Sequence, residues 1–175
     1  MDANKASRMV MNRSRWFFLL AALMAGATAY GEDTPATNEG ERMPAGYRDW
    51  KLISVAHEEG GLNDIRAILG NDAAINAFRT GGLPFPDGAI IARLAWRYVP
   101  SDKNNKAFGR AQSFVAGPPT NVQFMIKDSK RYAATGGWKL IQFEDTRPAH
   151  ADAKACFACH VLVQDRDFVF SRYSP

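Results

Sequence analysis

Pro84-Phe85-Pro86-Asp87-Gly88-Ala89-Ile90-Ile91-Ala92-Arg93-Leu94-Ala95-Trp96-Arg97-Tyr98-Val99 is the stretch on which the fold turns. Two prolines and an Asp-Gly pair give its first five residues the composition of a turn. From Ala89 to Val99 the residues are apolar and partly β-branched, as half-buried strands tend to be. A long strand entered through a turn is expected here. On the upstream side, Trp50–Ala56 and Ile65–Leu69 have the same strand character. The one helix expected before the long strand has Asn71 as its cap, Ile75 and Phe78 three apart on one face, and Gly81-Gly82 as its stop.

Downstream, Val122–Ile126 and Trp138–Phe143 read as two further strands, joined through a Lys127–Gly137 segment that bends at Gly136-Gly137. Ala149–Val163 is the last helix candidate and contains both cysteines. Strands and helices do not alternate regularly, so nothing demands a parallel sheet. The expected fold class is α+β, a mainly antiparallel β-sheet with a few flanking helices in a single domain.

The chain has 175 residues, 46% of them hydrophobic and 23% charged, within the range of one ordinary globular domain. Lys5, Arg8, Arg13 and Arg15 precede the apolar run Trp16–Ala25, and Ala27-Thr28-Ala29 follows it. This is the layout of a secretory signal over residues 1–29, cleaved near Ala29, and the apolar run is shorter than the roughly 20 residues a membrane span requires. A retained anchor shares the same features and is the alternative. Residues 30–44 are polar and turn-rich and read as a flexible leader, so the domain is expected at 45–175.

Removing residues 1–29 takes away four cations and Asp2, which lowers the formal net charge from +4 to +1. The basic balance belongs to the signal, and no clustered basic stripe remains to bind nucleic acid. Periplasmic localisation is the expectation.

Cys156-Phe157-Ala158-Cys159-His160 holds both cysteines of the chain in a C-x-x-C-H signature. Cysteines three apart in a helical turn project from one side, suited to forming thioethers with the two vinyl groups of one haem. The adjacent histidine is then placed to ligate the iron. Haem c, one and covalently bound, is the expected cofactor, with Cys156 and Cys159 as its anchors and His160 as the proximal iron ligand. A thioredoxin-like redox pair is a weaker fit, because no βαβ pattern surrounds the motif. A zinc site completed by His150 has an unfamiliar spacing.

The sixth iron position decides between carrying electrons and binding ligands. Met43, Met125, His57 and His150 are the available closers, and none lies in a segment marked as a ligand loop. An open position is therefore expected.

The pieces Tyr47-Arg48-Asp49-Trp50, Phe85-Pro86-Asp87-Gly88, Lys127-Asp128-Ser129-Lys130-Arg131-Tyr132-Ala133, Gly137-Trp138, the haem motif and Asp167-Phe168-Val169-Phe170-Ser171-Arg172-Tyr173 occur in one order. In these pieces the chain resembles the cytochrome P-460 family and its relatives, the beta-type cytochromes c prime, from Tyr47 to Pro175. The resemblance implies an antiparallel sheet with flanking helices, often in a homodimer. Family members that oxidise hydroxylamine link a lysine to the haem, and Arg93 occupies that position here. A guanidinium stays protonated and offers no free amine, so a lysine-type cross-link is not expected. The resemblance also implies a distal carboxylate, which falls on Gln123, and a glutamine takes no proton.

Phe124 and Phe114 are candidates for an apolar distal wall, and Arg66 matches a family arginine near the pocket. The resulting expectation is a five-coordinate haem protein that binds a small ligand such as nitric oxide and exchanges electrons with a periplasmic redox partner. A hydroxylamine-oxidising enzyme and a six-coordinate electron carrier are the alternatives.

Overall fold

The computed structural model describes residues 41–149 and 152–174. Six antiparallel strands form one sheet, β1 (Lys51–Glu58), β2 (Asp64–Gly70), β3 (Ile90–Pro100), β4 (Phe114–Lys127), β5 (Trp138–Glu144) and β6 (Arg147–Pro148), ordered in space as in the chain. Helix α1 (Asp72–Thr80) lies between β2 and β3, α2 (Asp102–Phe108) between β3 and β4, and α3 (Ala153–His160) after the sheet, continued by a 3₁₀ segment, Val161–Arg166. The α+β expectation holds. No helix among the described residues is long and apolar enough to cross a membrane.

Side chains alternate across each strand, and this sorts the interior into two clusters. Ile53, Ile68, Ile91 and Trp138 gather with Ile75 of α1 and with Val169 near the C-terminus, and Met125 packs against them. Their strand neighbours Leu69, Ala92 and Phe124 gather instead with Tyr47, Leu94, Ile141 and Phe143. The sheet therefore has a front face, covered by α1 and the C-terminal segment, and a back face carrying the second cluster. Glu41 pairs with Lys139, and Met43 packs against the back cluster, so both ends of this stretch of the leader touch the sheet.

Helix α1 begins and ends where its sequence signals fall. The Asn71 side chain accepts from Ala74 N at 3.0 Å, and Gly81 adopts a left-handed conformation. Asn71 also accepts from Ile90 N at 3.0 Å and donates to Gly88 O at 2.8 Å, which ties the helix to the entry of β3.

Helix α2 was not anticipated. It buries no residue, so it leaves no apolar periodicity; left-handed Gly109 closes it, and Asn105 within it ties down the following loop, its side chain accepting from Gln112 N and Ser113 N. Strand β4 starts at Phe114 rather than Val122. Gly117-Pro118-Pro119 has the composition of a turn, but β4 carries extra residues opposite Leu94/Trp96 and Trp96/Tyr98 of β3, and these register shifts accommodate the prolines within the ladder. The last helix is shorter than Ala149–Val163. Asp152 caps it by accepting from Lys154 N at 2.9 Å, and the chain leaves helical geometry at Val163.

Candidate functional site

Helix α3 places Cys156, Cys159 and His160 within one turn, at spacings of three and four that share a helix face. Both cysteines are free thiols. Burial first, then the Asp152 carboxylate and Cys159, push the Cys156 thiol above its usual pKa, while Cys159 is exposed.

His160 is oriented by the backbone beyond the helix. Its Nδ1 lies 2.7 Å from Phe168 O, and a carbonyl oxygen only accepts, so Nδ1 carries the proton and donates. In the neutral ring that leaves the lone pair on Nε2, the tautomer an axial ligand requires. Phe170 meets the His160 ring edge-on at 5.3 Å and is half exposed, and Leu162, two residues after His160 in the chain, is exposed. Two free thiols one turn apart, a histidine held in its metal-binding tautomer and bare apolar surface next to it fit a haem. Cys156 and Cys159 would hold the porphyrin, and His160 its iron. Among the described residues, no group of three His, Cys, Asp or Glu side chains converges as a self-sufficient metal site.

The front face also carries a polar ladder across five strands. Alternation puts Asp64 and Arg66 on the face of Ile68, Arg93 on that of Ile91, and Gln123 on that of Met125. Asp64 is the centre, only 4% exposed. Its Oδ1 accepts from Arg66 Nη2 at 2.7 Å and Nε at 2.8 Å, and its Oδ2 from Arg93 Nη2 at 2.5 Å. Arg93 Nη1 donates to Asn121 Oδ1 at 2.7 Å and to Gln123 Oε1 at 3.3 Å. Gln123 Nε2 then donates to Gln142 Oε1 at 2.6 Å, and Gln142 Nε2 to Glu144 Oε1 at 2.8 Å. At the other end Arg66 reaches Glu58 at 3.4 Å.

Burial, then repulsion from Arg66, lower the Arg93 pKa, and Asp64 opposes both. Arg93 Nε is buried without a partner. With both terminal nitrogens committed, Arg93 is a crosspiece of this ladder and not a nucleophile.

Of the candidate distal residues, Arg66, Arg93 and Gln123 are brought together in this ladder, and Phe124 is not. Phe124 follows Gln123 by one residue and points to the back face, 1% exposed, with Tyr47 at 5.2 Å and Phe143 at 5.7 Å edge-to-face. Phe114 is also displaced from the ladder. It stacks on Tyr98 at 4.3 Å, which in turn stacks on His57 at 3.8 Å. His57 pairs with Ile65 in the register of β1 and β2, one residue out of step with the front-face pair Ala56 and Arg66. Met43 belongs to the back face, and Met125 packs against the front apolar cluster. His150 lies outside the described residues.

Asp64, Asn121 and Gln142 were missed. Asp64 stands two residues before Arg66, which is the same-face spacing of a strand, and that was the available signal. Asn121 stands at the same two-residue spacing from Gln123, whereas Gln142 becomes recognisable only through the cross-strand register, which local sequence does not state.

The family model described as Cytochrome P460 matches residues 44–171, a span that contains the six strands, the ladder and the haem motif. No curated protein matches the chain.

Proposed function

The chain belongs to the cytochrome P460 family, hence to haem proteins, and from that membership we propose that it is an exported mono-haem c-type cytochrome with an open sixth position. The observation that carries the reading is His160, whose Nδ1 is committed to Phe168 O, directly after the unpaired thiol of Cys159 and one turn from that of Cys156. Cys156 and Cys159 anchor the haem as thioethers, and His160 is the axial ligand. When bound, the haem supplies a ferrous or ferric iron able to take a small ligand such as nitric oxide and to exchange one electron with a periplasmic partner.

Two features support the open position. Met43 and His57 are turned away from the front face, and Met125 is engaged in apolar packing. The ladder argues against the hydroxylamine-oxidising alternative, which needs a proton acceptor. Gln123 cannot take a proton, and both oxygens of the Asp64 carboxylate are already engaged by two guanidinium groups. Gln123 can orient a bound ligand by hydrogen bonding. Export to the periplasm with loss of residues 1–29, and pairing into a homodimer, are parts of the same proposal.

The test is an absorption spectrum of the ferrous protein, produced with haem-attachment machinery, before and after carbon monoxide. A high-spin spectrum that shifts on addition is expected. A low-spin spectrum indifferent to carbon monoxide would make the protein an electron carrier. A red-shifted band characteristic of a lysine-linked ring, or turnover of hydroxylamine, would return the enzyme reading to first place.

A further inference from the structure

Lys127 and Asp167 form an ion pair that none of the haem-binding roles uses, 4% and 8% exposed. Lys127 Nζ donates to Asp167 Oδ1 at 2.7 Å and Oδ2 at 2.8 Å and to Gly136 O at 2.9 Å, and it lies 4.9 Å from the centre of the Trp138 ring. Asp167 is gripped from two further sides. Its Oδ2 accepts from Phe85 N at 2.8 Å, and its backbone O from Trp138 Nε1 at 2.8 Å.

This much machinery is concentrated on a backbone corner that is costly in itself. Asp167 and Phe168 both have left-handed conformations, φ 51° and 66°, and a bulky residue there persists only where its surroundings over-determine it. The corner turns Phe168 O onto His160 Nδ1. The Phe168 ring fills the space above Gly136, where a Cβ would overlap it, and stacks obliquely on Phe157 of α3 at 5.5 Å.

We propose that the Lys127–Asp167 pair is the positioning device of the proximal histidine: it locks the Asp167-Phe168 corner so that the Phe168 carbonyl holds the His160 imidazole in one tautomer and one orientation. A firm acceptor on Nδ1 raises the basicity of Nε2 and so strengthens the axial bond and favours the oxidised iron. Neither residue touches the haem in this scheme, and both act through Phe168 O. The inference rests on His160 being the axial ligand.

The test compares Asp167→Asn, Lys127→Arg and Gly136→Ala in the haem-loaded protein, reading the iron–histidine stretching band of the ferrous form by resonance Raman and the midpoint potential. Asp167→Asn keeps an acceptor for Phe85 N but loses the charge pair, and the band should move to lower frequency and broaden while the potential rises. Lys127→Arg retains the charge pair and should stay close to the parent. Gly136→Ala leaves every charge in place, displaces the Phe168 ring and strains the left-handed backbone whose carbonyl accepts from Lys127, and should reproduce the Asp167→Asn shift without removing the charge pair.

Folded variants with lower melting temperatures but parental band and potential would overturn the proposal, because the pair would then be merely structural. If Asp167→Asn does not fold, Gly136→Ala with parental values overturns it equally. His160→Ala is the control for the premise. Survival of the band in that variant would remove His160 as ligand, an outcome distinct from failure of the positioning role.

Discussion

Phe124→Ala separates the two faces of the sheet most directly. The side chain is 1% exposed and meets Tyr47 and Phe143 edge-to-face in the back cluster. Truncating a buried phenylalanine costs about 3–5 kcal/mol, the lost transfer energy plus the residual cavity. Two aromatic pairs, each worth about 0.5–1.5 kcal/mol beyond area, place this site toward the upper part of that range. Unfolding entropy of about 2.1 cal/mol/K per residue, taken over the matched stretch 44–171, corresponds to roughly 0.27 kcal/mol/K. The melting temperature should therefore fall by roughly 11–18 °C. Calorimetry of the haem-loaded protein measures that fall, and carbon monoxide titration of the same ferrous sample should give parental affinity. A melting temperature within about 3 °C of the parent, well below that range, together with altered affinity, would refute the assignment of Phe124 to the back face.

Asp64→Asn should destabilise the protein by about 3 kcal/mol, because Arg66 and Arg93 would then face each other without their anion, and urea unfolding reads the loss. A loss below about 1 kcal/mol would mean that the arginines escape to solvent, as surface pairs do. In apoprotein made without haem-attachment machinery, an alkylating reagent at neutral pH should modify exposed Cys159 before Cys156, whose pKa is raised by burial, by Asp152 and by Cys159. Peptide mapping gives the order, and equal rates would contradict it. Asp87 is held below its ordinary value of 3.8 by Ser129 N and then by Ser129 Oγ. A carboxylate depressed in the folded state contributes stability that is complete above its unfolded value and is lost as pH falls through the folded one. The stability gap between the parent and Asp87→Asn should therefore be full above pH 3.8 and close in more acidic solution, and a gap independent of pH would count against the Ser129 contacts.

What could be read without coordinates was what local chemistry dictates. Apolar, partly β-branched runs placed β1, β2, β3 and β5, and Asn71 with Gly81-Gly82 bounded α1, because caps and breakers act within a few residues of chain. The spacing of Cys156, Cys159 and His160 marked them as a candidate haem site, since one helical turn determines which side chains share a side. The N-terminal stretch 1–29 and His150, also read from sequence alone, lie outside the described residues.

Tertiary structure decided matters that depend on which face and which partner. Gln123 and Phe124 are neighbours in sequence, yet one joins the polar ladder and the other the back core, because successive strand residues point in opposite directions and a one-residue error of register exchanges them. The same register assembled Asp64, Asn121 and Gln142 around Arg93 from four strands. Lys127 and Asp167 stand forty positions apart, and only the packing of the C-terminal corner against Trp138 and Gly136 makes them a pair. Long-range hydrogen bonds and buried charges leave no local periodicity, so their partners are set by the folded chain.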